Sequence, residues 1–187
     1  MDLEAPSVTL TYKGFFQLDI LYALLAEELA TRGWKPEDAD QREYMERYYY
    51  HLAKPTGSYD WYAQWNVKRD WDMKHFTLFM SLSMRLITGK EEERVINGKP
   101  ARGVNGEFTI TIACKAVFDD TIFDKHWLTR MYKTLILNRY IGKYLGMAKD
   151  DAWDEAKSIR DMLAAHLNAL GRTERTFHMP GETPFGA

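Results

Sequence analysis

Residues 58–72 read SYDWYAQWNVKRDWD and hold three of the six tryptophans, Trp61, Trp65 and Trp71. Trp61, Ala63, Trp65, Val67 and Trp71 share one parity, with Arg69 breaking the series. Tyr62, Gln64, Asn66, Lys68 and Asp70 share the other. Successive side chains of a strand point to opposite faces. The alternation therefore predicts a strand with one core face and one polar face that carries an aromatic edge. A turn near Asp70–Lys74 follows, so Trp71 is the tryptophan least committed to the core.

The same period recurs on both sides. In HFTLFMSLSMRLIT, Phe76, Leu78, Met80, Leu82, Met84 and Leu86 face one way, and Thr77, Ser81, Ser83 and Arg85 the other. In EFTITIACKAVFDD the apolar series is Phe108, Ile110, Ile112, Cys114, Ala116 and Phe118, opened by Asn105-Gly106. Between them lies EEERVINGKPARG, whose Asn97-Gly98 is the residue pair of a tight hairpin turn; it predicts an exposed ribbon tip. Val8, Leu10 and Tyr12 alternate with Thr9, Thr11 and Lys13 in a first strand that Gly14 ends. REYMERYYYHLA alternates as well, and its tyrosines favour a strand.

Two segments carry the helical period instead. Leu18, Leu21, Leu25 and Leu29 recur at 3–4 spacing, with Asp19 near the start and Gly33 as the stop. After Asp124, a candidate N-cap, KHWLTRMYKTLILNRYIGKYLG predicts one helix and DDAWDEAKSIRDMLAAHLNALG a second, striped by Ala152, Ala156, Ile159, Leu163, Leu167 and Leu170 and stopped at Gly171. The order is β-α-β-β-β-β-α-α. Strands grouped together and closed by helices define an α+β fold. The expected form is an antiparallel sheet of about five strands, with one N-terminal and two C-terminal helices packed on one face. Residues 1–171 form a single domain in this reading, and 172–187 an extended tail.

The pieces TYKGFFQLDILYALLAEEL, YDWYAQWNVKRDWD, INGKPARGVNGEFTITI and FDDTIF resemble a group of small, uncharacterised archaeal α+β proteins. Members open with a strand and YKG, continue through Trp- and Tyr-rich strands and an NGK hairpin, and close with two helices. The resemblance spans roughly Ser7 to Leu170 and implies the same fold order. It implies no activity, and it leaves the tail outside the pattern.

The 187 residues are 45% hydrophobic, 28% charged and 14% aromatic, a soluble globular composition rich in rings. One cysteine, Cys114, rules out an intramolecular disulfide and reads as a small core hydrophobe. No basic leader with a long apolar run and no span of about 18 apolar residues occurs, which sets the cytoplasm as the expected location. The five histidines form no HxH, HExxH or HxxxH pair, and GxSxG, Walker and GxGxxG motifs are missing. Asp119, Asp120 and Asp124 read as a loop with an N-cap. No catalytic residue, metal or cofactor is expected.

Charge is distributed unevenly. Lys125, Arg130, Lys133, Arg139, Lys143 and Lys149 occur with no acid between them, in a chain of net charge −2. On the expected helix 125–146, Lys125, Lys133, Arg139, Tyr140, Lys143 and Tyr144 gather on one face. Such a face grips phosphates and stacks on bases, docks an acidic partner, or lies against the following acidic helix at Asp150, Asp151, Asp154, Glu155 and Asp161. The overall charge weighs against nucleic acid. Aromatics on both parities of several strands, with Phe177, Met179 and Phe185 in the tail, call for a second cover, and a symmetric copy is the commonest source. The favoured reading is a non-enzymatic interaction or assembly protein, a homo-oligomer or bound to a protein partner. Nucleic-acid binding and a helix-grip-like small-molecule pocket are the alternatives, and no membrane is involved.

Overall fold

The computed structural model describes residues 1–37, 45–96, 99–121 and 140–175, and of residues 99 and 170–175 the backbone alone. Seven strands form one antiparallel sheet: β1 (Asp2–Glu4), β2 (Val8–Phe16), β3 (Lys35–Pro36), β4 (Glu46–Ala53), β5 (Tyr59–Asp70), β6 (Phe76–Ile96) and β7 (Lys99–Phe118). β7, β6 and β5 make the centre. β1 and β2 share the outer side of β7, and β3 and β4 share the outer side of β5. The sheet is thus five positions wide, with each outer position divided between two strands. That division is the difference from the expected five.

The alternation in SYDWYAQWNVKRDWD sets the core. Trp61, Ala63, Trp65 and Val67 are buried on the inner face, together with Phe76 to Leu86 of β6 and Phe108 to Phe118 of β7 at alternate positions. α1 (Leu18–Thr31) covers this face with Leu21, Leu25 and Leu29. It ends in a Schellman turn: Trp34 N–H donates to the Leu29 carbonyl (2.9 Å), Gly33 N–H to Ala30 (3.0 Å), and Gly33 takes φ +80°. The second cover is α2 (Gly142–Arg175), whose Ile141-led stripe of Leu145, Ala148, Ala152, Ala156, Ile159, Leu163 and Leu167 is buried.

Four local expectations change. Gly14 does not end its strand: β2 passes through it to Phe16, and Gly14 pairs with Gly106 at φ +145°, which only glycine adopts readily. Asn105-Gly106 does not open a strand either, because β7 runs unbroken from Lys99. The ribbon is the outer half of the β6–β7 hairpin, closed by the Ile96–Lys99 pair; Asn97 and Gly98 lie outside the described residues. The third change is that helix continues through Gly146 to Asp151, so no break separates a second helix there. Lastly, helical backbone runs past Gly171 to Arg175. The segment from 122 to 139, with Asp124, lies outside the described residues.

Arg69, the exception in the alternation, stands at the rim of the inner face. Its guanidinium lies over the Trp34 ring (5.1 Å), donates to the Arg32 carbonyl (3.0 Å) and pairs with Glu155 of α2 (2.5 Å). Trp71 is half-buried and donates its indole N–H to Asp151 (2.8 Å).

β6 breaks register with β7 between Ile87 and Lys90, and Thr88 takes φ +52°. Asp60 on the neighbouring strand clips this bulge, accepting from Thr88 N–H (2.9 Å) and from Lys54 Nζ (2.7 Å). The Lys54 ammonium and the Thr88 amide hold its carboxyl below the usual range. A lowered folded pKa stabilises the fold above the unfolded carboxylate pKa, and that stability is lost as pH falls through the folded value. Asp60→Asn is therefore expected to flatten the acid side of a stability-against-pH curve, as urea midpoints at stepped pH will report.

Candidate interaction surface

Rings and open backbone come together at β4. Its residues are exposed from Arg47 to Ala53, including Tyr48 at 53%, Tyr49 at 54%, Tyr50 at 44% and Leu52 at 45%. Among the described residues β4 bonds only to β5, and none of them pairs with the backbone groups on its far side. Pairing with Gln64, Tyr62 and Asp60 puts Tyr48, Tyr50 and Leu52 on the outer face; pairing with Ala63 and Trp61 puts Tyr49 and His51 on the inner face, at its margin.

Three of its four rings are seated by a neighbouring ring on β5. Tyr48 meets Tyr62 edge-on (5.7 Å), Tyr49 meets Trp61 (6.1 Å), and His51 tilts against Tyr59 (4.8 Å). Ring pairs of this kind contribute about 0.5–1.5 kcal/mol each beyond area burial. The entry to β4 is fixed from α1. Trp65 Nε1 donates to Tyr22 Oη (2.7 Å), and Tyr22 donates onward to the Glu46 carboxylate. Burial, then the Glu46 carboxylate, hold the Tyr22 phenol above the usual tyrosine range. On the outer face Tyr48, Tyr50, Tyr62, Asp60 and Arg85 frame a recess of about 310 Å³.

Much of the rest of the outer face is polar. Ser81, Ser83 and Arg85 of β6 and Thr109 and Thr111 of β7 occupy it, with Thr9 and Thr11 of β2 pairing hydroxyl to hydroxyl at 3.3 Å. Gln64, Asn66, Ser81 and Glu37 form a hydrogen-bonded row. Outer-face aromatics among the described strands are Phe15, Tyr48, Tyr50, Tyr62 and Phe79. Three of these rings, Tyr48, Tyr50 and Tyr62, gather at one corner of the sheet beside β4, whereas Phe79 and Phe15 lie away from it.

The basic helix face is only partly within view. Tyr140 is 62% exposed, and Lys143 and Tyr144 are exposed beside it, with Leu145 buried on the opposite side. Lys125, Lys133 and Arg139 lie outside the described residues, as do Phe177, Met179 and Phe185. Lys143 and the acids from Asp150 to Asp161 lie on one continuous helix, so these acids cannot face it from a separate one. Asp150 pairs with Lys149, the last base of the run, and the others are engaged elsewhere: Asp151 by Trp71, Glu155 by Arg69 and Trp34, Asp154 by Lys157 and Asp161 by Arg160.

Ala148, Ala152 and Ala156 of α2 are buried in one core with the inner face of the sheet, and at its rim Arg69, Trp71, Asp151, Asp154 and Glu155 line a recess of about 490 Å³ between the end of β5 and α2. Cys114 is buried in that core, and burial pushes its thiol up to about 12. Among the described residues no group of three or more His, Cys, Asp and Glu is placed to hold a metal ion. No described helix is long and apolar enough to cross a membrane. Comparison with protein-family models, curated proteins and solved structures finds no match.

Proposed function

We propose that the protein is a non-enzymatic interaction or assembly protein that receives an extended strand of a partner chain along β4. One observation carries this reading: among the described residues β4 is paired on one side only, and it carries four large exposed side chains, Tyr48, Tyr49, Tyr50 and Leu52. Strand addition uses main-chain hydrogen bonds for affinity and alternate side chains for specificity. Tyrosine suits such a surface because it supplies area and a polar tip with few rotors.

The other edges support the reading by contrast. Pro6 interrupts the edge between β1 and β2, Lys13 stands exposed further along it, and β3 consists of Lys35 and Pro36. Proline and lysine are the residues that blunt strand edges. β4 has neither between Glu46 and Ala53; its only guard is the register break at Arg47.

Hydrogen exchange tests this directly. In protein as isolated at micromolar concentration, the outward β4 amides are expected to be protected. Tyr48→Lys with Tyr50→Lys is expected to expose them while β6 and β7 stay protected. Fast exchange of those amides in the native protein, equal to that of the variant, overturns the reading.

A further inference from the structure

We propose that a recess across the outer sheet face binds a free basic amino acid, its α-ammonium on Glu4, its carboxylate on Lys115 and its side-chain cation on Glu37. The site lies apart from the β4 edge and does not depend on strand docking there.

The recess measures about 260 Å³, and all three charged groups line it. Its floor is one cross-strand row, Asn66 of β5, Ser81 of β6 and Ala113 of β7. These side chains are short. Phe79 and Lys115, paired across β6 and β7, stand beside them as a wall. Each end is set by chain just leaving an outer strand. After β1, Ala5 N–H donates to the Cys114 carbonyl (2.9 Å), which keeps Glu4 at that end. After β3, Glu37 N–H donates to the Asn66 carbonyl (3.0 Å). Neighbouring strands lie about 4.8 Å apart, so the floor from β5 to β7 is roughly 10 Å long. That is the length of an extended lysine molecule with its four-carbon stem.

Charge selects the ligand. Glu4 and Lys115 are register partners on one face, yet no ion pair joins them. The Lys115 ammonium lies over the Phe79 ring instead, 5.2 Å from its centroid. A carboxylate and an ammonium thus stand side by side with neither spent on the other, the complement of a zwitterion. At the other end Glu37 Oε2 accepts from Asn66 Nδ2 (2.9 Å) and more distantly from Arg47 (3.4 Å), while Oε1 stays open to a cation. The Asn66 bond fixes that carboxylate before a ligand arrives, which lowers the cost of ordering it. Between the charged ends, the Phe79 ring and the Ala113 methyl offer apolar surface to the ligand's stem. Exposed ion pairs are individually weak, so binding needs all three, and their separate contributions can be measured.

Isothermal titration calorimetry with probes that each lack one charge tests the site. L-lysine is expected to bind the native chain with a dissociation constant below about 1 mM. L-norleucine lacks the side-chain cation, cadaverine the carboxylate, and Nα-acetyl-L-lysine the α-ammonium. Each is expected to bind at least about fivefold more weakly, the loss of one charged contact. Glu37→Gln is expected to lower the affinity for L-lysine to that for L-norleucine and to leave L-norleucine binding unchanged. Lys115→Gln is expected to remove the difference between L-lysine and cadaverine. Both variants keep a hydrogen-bonding side chain of similar length, and a native urea midpoint shows that they fold. No heat with L-lysine up to about 10 mM overturns the proposal. Equal affinity for L-lysine and L-norleucine in the native chain also overturns it, and so does L-lysine binding that neither substitution weakens. Protection of the β4 amides is a separate readout, so the strand-docking reading stands or falls without this site.

Discussion

Trp65→Ala is expected to cost about 3–5 kcal/mol of folding stability, the range for deleting a buried large ring. Trp65 is 2% exposed on the inner face of β5 and meets the Tyr22 ring edge-on at 4.4 Å. Its loss leaves a cavity that β5 cannot collapse into, because β5 is held at Trp65 between Glu46 of β4 and Leu82 of β6. It also removes the donor to Tyr22 Oη, the hydroxyl that positions Glu46 at the start of β4. Trp65→Phe retains most of the volume and loses the indole N–H, so about 1–2 kcal/mol is expected for the lost hydrogen bond and the smaller ring. Urea unfolding followed by far-UV circular dichroism separates the two, with unchanged m-values marking a change in stability alone. The alanine variant is also expected to weaken any assembly through β4, because the Tyr22–Glu46 tie loses its anchor. A Trp65→Ala midpoint equal to that of the native protein rules out this packing account.

The inner face was legible because two periods suffice to write it. Every apolar series read at alternate positions in β5, β6 and β7 is buried, and so are Leu21, Leu25 and Leu29 of α1. What escaped were elements with no apolar period. β1 is Asp-Leu-Glu and β3 is Lys-Pro; both are drawn into the sheet by backbone bonding to a neighbour already placed. Glycine misled in both directions. Gly14 looks like a stop and Gly106 like the opening of a strand, yet they pair with each other inside β2 and β7. An alanine at Gly106 would put Cβ 2.9 Å from Leu86, so small size is required there rather than a turn. Gly146 looks like a helix break, at a cost of about 1 kcal/mol relative to alanine. The stripe Ile141, Leu145, Ala148, Ala152 keeps its 3–4 spacing straight across it, and burial of that stripe outweighs the glycine.

The interaction surface was less legible for a related reason. REYMERYYYHLA alternates as well as the core strands do, but the sequence does not show which strand has a neighbour on one side only. In the fold β4 receives β5, no described residue pairs with its other side, and its three consecutive tyrosines are exposed. The signal present in the sequence was the absence of an apolar parity. Arg47, Tyr49 and His51 against Tyr48, Tyr50 and Leu52 gives two amphipathic faces and no greasy one. Arg69 was legible as an exception to its strand's pattern, and the fold supplies the reason in Glu155.

That pair yields the second large effect. Glu155→Ala is expected to destabilise by about 2–4 kcal/mol, since it orphans two donors at once. Glu155 Oε2 accepts from Trp34 Nε1 at 2.8 Å, and Trp34 is 2% exposed. Glu155 Oε1 pairs with Arg69, at side-chain exposures of 22% and 24%. Three elements meet here: the C-terminal turn of α1 through Trp34, the end of β5 through Arg69, and the middle of α2. Glu155→Gln keeps an acceptor for the indole and gives up the charge, so about half the loss is expected. Arg69→Met leaves the Trp34 bond intact but uncaps the Arg32 carbonyl. In a double-mutant cycle Arg69→Ala and Glu155→Ala are expected to couple by about 1–2 kcal/mol, as groups in one network do. Strict additivity would mean that the two elements are held by packing alone. The contrast with Trp65 is the useful part. Glu155 fastens α2 to the sheet far from β4, so Glu155→Ala should lower the urea midpoint and leave β4 amide exchange at native rates. Trp65→Ala should change both.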